Sequence, residues 1–171
     1  MRYRDAVLAF LVALALTGAL TPIVASLARK IGAIAKPGER GLASRETPLL
    51  GGIAILVGVL VATALWVPDA VPQADESHLY AIIAGAFAIT VVGAIDDKFD
   101  LRPMVKLAGQ IAAAVIVVAG GVKLSSIDLP FAGQLAFPRA GPLHAGPILS
   151  VIILVVVMNA VNFSDGIDGL A

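Results

Sequence analysis

Five of the 12 acidic residues in this 171-residue chain fall into two short clusters. Asp96, Asp97 and Asp100 form one, and Asp165 and Asp168 form the other, preceded by Asn159 and Asn162. Adjacent carboxylates such as Asp96-Asp97 repel each other, and beside apolar segments they call for a cation or a basic partner. Mg²⁺ is the usual hard cation held by a few carboxylates together with ligand phosphates. Asp165 and Asp168 share a face if helical, and Gly166 and Gly169 allow a ligand or a turn to come close. A calcium loop over 165–169 is disfavoured, because the alternating ligands and the final Glu are absent. A third stretch is basic and glycine-bearing, running from Lys36 through Arg40 and Arg45 to Thr47, Gly51 and Gly52. Basic side chains and turn formers suit an anionic ligand such as a lipid phosphate or a nucleotide pyrophosphate. Gly51-Gly52 would let helices pack closely. The plainer alternatives are solvated anchors, surface pairs such as Asp97–Lys98 and Asp100–Arg102, and ordinary positive-inside charge. His78 and His144 lie far from both acidic clusters and are unassigned.

What positions these residues is a set of apolar segments. The chain is 59% hydrophobic before glycine is counted and 14% charged. A soluble domain sits near ~45–50% apolar with glycine included and ~25% charged, and could not hide this much apolar side chain. Disorder is excluded on the same ground. The absence of Cys removes disulfide frameworks and thiolate chemistry, and a net charge of zero argues against a nucleic-acid surface.

Five stretches, 6–28, 49–67, 79–95, 104–122 and 147–163, have about the length a helix needs to cross hydrocarbon, and they are apolar all round rather than on one face. A signal peptide is the alternative for the first, but its apolar run is long and Arg29-Lys30 closes it. The expected fold is all-α: a polytopic membrane protein of about five transmembrane helices in one domain. Alternation of sides places Arg29, Lys30, Lys36, Arg40, Arg45, Lys98, Arg102 and Lys106 on one face of the membrane. Arg2, Arg4, Lys123 and Arg139 fall on the other, so the first face is expected to be cytoplasmic and the N-terminus outside. Both acidic clusters then share the cytoplasmic edge. Residues 123–146 are expected outside, with a short hairpin around Ile127-Asp128-Leu129 and Leu135-Ala136-Phe137.

Three segments in this order carry a family resemblance: Thr47-Pro48-Leu49-Leu50-Gly51-Gly52, Gly93-Ala94-Ile95-Asp96-Asp97-Lys98-Phe99-Asp100-Leu101, and Asn159 to Ala171 with its Asn-Phe-Ser-Asp-Gly-Ile-Asp-Gly core. Together they resemble the polyprenyl-phosphate N-acetylhexosamine-1-phosphate transferases. Asp100 and the Asp-Gly-Ile-Asp-Gly form look more like the undecaprenyl-phosphate N-acetylglucosamine-1-phosphate transferase branch, with phospho-N-acetylmuramoyl-pentapeptide transferase as the near alternative. The resemblance implies transfer of a sugar-1-phosphate from a UDP-N-acetylhexosamine to polyprenyl phosphate, releasing UMP, with Mg²⁺ required and Mn²⁺ as a substitute. It implies catalytic roles for Asp96 and Asp97, and metal binding by Asp97, Asp165 and Asp168. Substrate contacts are implied for Asn162, Asp100, Lys36, Arg45, Thr47, Gly51 and Gly52. A plasma-membrane location with cytoplasmic site loops and a homodimer are implied as well.

The chain departs from the family pattern in two ways. Ala35 and Gly41-Leu42-Ala43 stand where the family carries an acid and a Lys-x-His. Family members are also about twice as long, so the chain is expected to be an N-terminal part, lacking a further metal-binding Asp and a His-containing loop. An inactive truncated membrane subunit is therefore an alternative reading. Half of a transporter is disfavoured, because transport sites place ionisable groups near the bilayer midplane, whereas here the middle of every span lacks charge.

Overall fold

The computed structural model describes residues 3–35, 46–70, 76–129, 133–136 and 145–164. Its architecture is an all-α helical bundle trimmed by two short antiparallel ribbons. The elements run α1 (Tyr3–Ile31), β1 (Ile34–Ala35), β2 (Thr47–Pro48), α2 (Gly51–Ala70), α3 (Glu76–Phe99), α4 (Pro103–Ala119), β3 (Ser126–Leu129), β4 (Gly133–Ala136) and α5 (Ala145–Ser164). Each of the five apolar stretches lies largely within a helix. Tyr3–Ile31, Glu76–Phe99 and Ala145–Phe163 are long and apolar enough to cross a membrane, and Gly51–Val67 and Pro103–Ala119 are shorter apolar helical segments.

Large apolar side chains face outward on every helix, among them Phe10, Leu14, Ile55, Phe87, Val115, Ile152 and Val156. The interior is built from small residues: Ala28, Ala33, Ala54, Ala113 and Ala114 are completely buried, and among the described residues no large side chain is fully buried. Water would invert this arrangement; lipid permits it, because tails solvate Leu and Val while close helix approach selects small residues. At the α1–α2 contact, a Cβ on Gly58 would strike the Thr17 hydroxyl and the Ala13 carbonyl oxygen. Gly85 meets Val117 in the same way between α3 and α4.

The helices pack in sequence order, with α1 on α2, α2 on α3, α3 on α4 and α4 on α5. A cluster of Val24, Ala28, Ala33, Leu50 and Ala54, flanked by Leu20, Ile53 and Ala94, closes one end. The β1–β2 ribbon sits at that end, pairing Ile34 with Pro48 and Ala35 with Thr47. It ties the backbone before residue 36 to that after residue 45, and the Leu49 N–H donates to the Ala33 carbonyl at 3.0 Å. The expected hairpin forms at β3–β4, in a register running from Ser126 opposite Ala136 to Leu129 opposite Gly133. Gly133 takes a left-handed φ of 74°, a conformation glycine adopts without strain.

Candidate active site at one end of the bundle

The C-terminal ends of α3 and α5 and the N-terminal ends of α2 and α4 meet at one end of the molecule, and the polar side chains there are joined. Asp96, in the last turns of α3, is only 6% exposed. Its Oδ2 accepts from the Lys106 ammonium of α4 at 2.8 Å, and its Oδ1 accepts from the Leu101 N–H at 3.1 Å. Its carbonyl oxygen accepts from the Asp100 N–H at 2.9 Å. One residue therefore stitches the whole α3–α4 turn, in which Asp100 takes a left-handed φ of 49°. Asp tolerates that region better than most residues. Pro103 then starts α4, at the position where a missing N–H costs nothing.

Lys106 has a second partner, donating to the Asn162 Oδ1 of α5 at 3.0 Å. A lysine in a helix surrounded by apolar residues thus links the first acidic cluster to the second motif across 56 positions of sequence. Four residues along α4, Gln110 faces Asn159 in a reciprocal amide pair. Asn159 Nδ2 donates to Gln110 Oε1 at 2.9 Å, and Gln110 Nε2 donates to Asn159 Oδ1 at 3.5 Å.

Asp97 points the other way. Its Oδ2 accepts from the Leu50 N–H at 2.9 Å, immediately before the first turn of α2. A carboxylate there meets the positive end of the helix dipole. Leu50 takes a φ of 72° and is 3% exposed. A non-glycine residue in this region stores strain, and here the buried side chain and the bond to Asp97 hold it.

Gly51 and Gly52 form the exposed first turn of α2, with no described atom within 4 Å of a Cβ built on either. Among the described residues they pack against no neighbouring helix, unlike the close packing expected of them. Close packing of α2 on α1 is done further along, at Gly58. Thr47 is exposed on β2, Asp100 and Asn162 are exposed, and Lys98 lies over the Phe99 ring at 5.1 Å. Lys36, Arg45, Asp165 and Asp168 lie outside the described residues, as do Gly41, Leu42, Ala43 and His144.

Carboxylate oxygens are the donor type Mg²⁺ prefers. Among the described residues, however, no group of three or more His, Asp or Glu comes together that could hold a metal. Asp97 fits as one ligand by chemistry, whereas Asp96 already engages both oxygens with donors of the protein. Sequence reading gave Lys106, Gln110 and Leu50 no part in the site. The signal for the first two was present: they are the only polar side chains of α4 besides its flanks, spaced one turn apart, and a polar residue in an apolar helix is a functional candidate by default. Leu50 carried no such signal, because its importance lies in its backbone.

Known proteins give this geometry a context. Residues 79–171 match the glycosyl transferase family 4 profile. The probable undecaprenyl-phosphate N-acetylglucosaminyl 1-phosphate transferase of Bacillus subtilis is 35% identical over 174 residues, covering 96% of this chain and 44% of that protein. The decaprenyl-phosphate N-acetylglucosaminephosphotransferase of Mycobacterium leprae is 35% identical over 176 residues, covering 98% of this chain and 42% of its own. A phospho-N-acetylmuramoyl-pentapeptide-transferase of Chlorobium phaeobacteroides is 31% identical over 142 residues, covering 74% of this chain and 36% of its own. The chain thus spans less than half the length of these relatives, and no solved structure matches it. With more than half of its residues matched by the family profile, and with Asp96, Asp97, Lys106 and Asn162 gathered at one end of an apolar bundle, the chain belongs to glycosyl transferase family 4.

Proposed function

We propose that this chain takes part in transferring N-acetylglucosamine-1-phosphate from UDP-N-acetylglucosamine to polyprenyl phosphate, in the undecaprenyl class, for cell-wall or surface-glycan synthesis. A phosphate oxygen of the acceptor attacks the sugar-linked phosphorus. The bond from that phosphorus to the bridging oxygen breaks, and UMP leaves with that oxygen, giving a polyprenyl-diphospho-sugar. The observation that carries this reading is the joined end of the bundle: Asp97 at the start of α2, and Asp96, Lys106 and Asn162 linked across α3, α4 and α5. It is a charged, hydrogen-bonded site at the edge of a lipid-facing body, the arrangement a reaction between a lipid phosphate and a soluble nucleotide requires.

The chemistry is mainly positioning and charge neutralisation, since two anions must meet. Asp97 supplies the negative charge suited to a cation or to the acceptor's last proton, and the Leu50 N–H holds it in place. Lys106 supplies the positive charge facing the diphosphate, and Asp96 holds that ammonium. Asn162 contributes an amide for the nucleotide side. Mg²⁺ or Mn²⁺, held by Asp97 with Asp165 and Asp168, would neutralise charge on the diphosphate when bound. Thr47 of β2, with Lys36 and Arg45, which lie between the two strands in sequence, suit phosphate oxygens. The N-acetylglucosaminyl reading is favoured over the pentapeptide transferase reading because the first class matches nearly the whole chain and the second about three quarters of it. The site end is assigned to the cytoplasm, as the bias of Lys and Arg requires.

The test uses the intact protein in its native membrane, with radiolabelled UDP-N-acetylglucosamine and undecaprenyl phosphate. Label entering the lipid phase together with equimolar UMP is expected, and chelation of divalent cations should abolish both. Absence of lipid-phase label from protein that is properly inserted would overturn the proposal.

A further inference from the structure

We infer that Gln110 and Asn159 are positioning residues: their amide pair sets the rotation and depth of α5 against α4, and so brings Asn162 opposite Lys106. The inference rests on the transfer reaction proposed above. α4 and α5 run antiparallel, as the two rungs Lys106–Asn162 and Gln110–Asn159 show, and away from these rungs the α4–α5 contact is built almost wholly of Ala, Val, Ile and Leu. Between such helices lipid removes the hydrophobic drive that would select one packing in water. Valine and isoleucine faces are near-equivalent under a small rotation, so van der Waals contact alone specifies the register weakly. A reciprocal amide pair does not share that tolerance. Each amide offers a donor and an acceptor, and a shift by one residue leaves polar atoms facing hydrocarbon.

The pair is built to be rigid. Gln110 is 3% exposed. Asn159 Nδ2 also donates to the Val155 carbonyl of its own helix at 2.8 Å, which locks its side chain. A further pin holds the opposite end of α5. The Ser150 hydroxyl, itself 5% exposed, donates to the Gly146 carbonyl at 2.7 Å and accepts from the Leu124 N–H at 2.8 Å, just beyond α4. That pin holds one end of α5, and the amide pair sets rotation and depth at the site end. Asn162 lies one turn beyond Asn159 on the same face, so its place follows from the pair rather than from its own contact alone.

These 171 residues hold no cysteine, so the register is directly readable once any cysteine elsewhere in the intact protein is replaced by serine. A cysteine replacing Ala114 is paired in turn with cysteines at positions 151 to 158 of the intact protein in membranes, and disulfide formation is scored after mild oxidation. The antiparallel register predicts a maximum at Val155. Gln110→Leu and Asn159→Leu should each displace or flatten that maximum and lower turnover about tenfold to a hundredfold, the cost of misplacing a reacting group by around an ångström. The exchange variant Gln110→Asn with Asn159→Gln restores a complementary pair and should recover both readouts. Gln110→Met, close to glutamine in length, replaces the leucine variant if that one fails to accumulate. A maximum that stays at Val155 in the apolar variants overturns the proposal, whatever happens to turnover. A displaced maximum with unchanged turnover also overturns it, because register would then not be placing a reacting group. If the unsubstituted protein makes no lipid-linked product, the transfer reaction fails, while the cross-linking pattern still decides the register.

Discussion

The pairing of Asp96 with Lys106 is the residue-scale feature with the sharpest energetic consequence. The carboxylate side chain is 8% exposed and the lysine 27%. Removing one member of a buried pair strands the other charge, at a cost of about 3–5 kcal/mol. Lys106→Met is therefore expected to lower the unfolding midpoint in detergent sharply. The double variant Asp96→Asn with Lys106→Met should recover much of that loss, because no charge is left behind; equal losses in the single and double variants would contradict the pairing. Asp97 permits a cleaner separation of roles. In Asp97→Asn the side-chain oxygen that accepts the Leu50 N–H remains, and Asn serves at a helix start about as well as Asp. Stability should move by less than about 0.5 kcal/mol, while lipid-linked product should fall by about a hundredfold or more as the charge is lost. A matched fall in both would assign Asp97 to structure alone.

Among the elements, the α1–α2 pair depends on closeness. A Cβ on Gly58 would lie 2.7 Å from the Ala13 carbonyl oxygen, a backbone atom that cannot move aside cheaply. Thr17 reinforces the contact by donating to the Ala54 carbonyl at 3.5 Å. Gly58→Ala is expected to destabilise the protein by about 1–3 kcal/mol through overpacking, seen as a lower unfolding midpoint with little change in insertion. Because this pair carries Ala28, Ala33 and Leu50 at its site end, looseness there should reach Asp97, and turnover should fall along with stability. The ends of α3 and α4 are joined differently, by one carboxylate bonding across a tight turn.

At the scale of the molecule, outward Leu, Val, Ile and Phe side chains on all five helices require a lipid surround. α1 at 29 residues and α3 at 24 extend roughly 43 and 36 Å, enough for a hydrocarbon core of about 30 Å. The absence of cysteine from these 171 residues again helps. Single cysteines replacing Lys98 and Glu76, at opposite ends of α3, should react with an impermeant maleimide from opposite sides of sealed vesicles. Lys98 is expected on the cytoplasmic side. Labelling of both positions from one side would refute a membrane-crossing α3.

Much of this protein could be read from its sequence because its main determinants are compositional and local. Uninterrupted apolar runs specify helices in lipid, since no other open structure satisfies its own backbone there. The alternation of sides that follows brings Asp96, Asp97 and the Asn159–Asn162 motif to one end. The hairpin at 126–136 was visible in a short alternating pattern. What the sequence left undetermined depends on rotation about helix axes and on backbone conformation. Periodicity was nearly silent on rotation, because the helices are apolar all round. Only packing determined that Asp96 turns inward to Lys106 while its neighbour Asp97 turns to α2, and that Gln110 finds Asn159. Leu50 is the clearest case: nothing in a leucine announces a left-handed backbone, and that conformation arises only where a buried side chain and a carboxylate from another helix hold it.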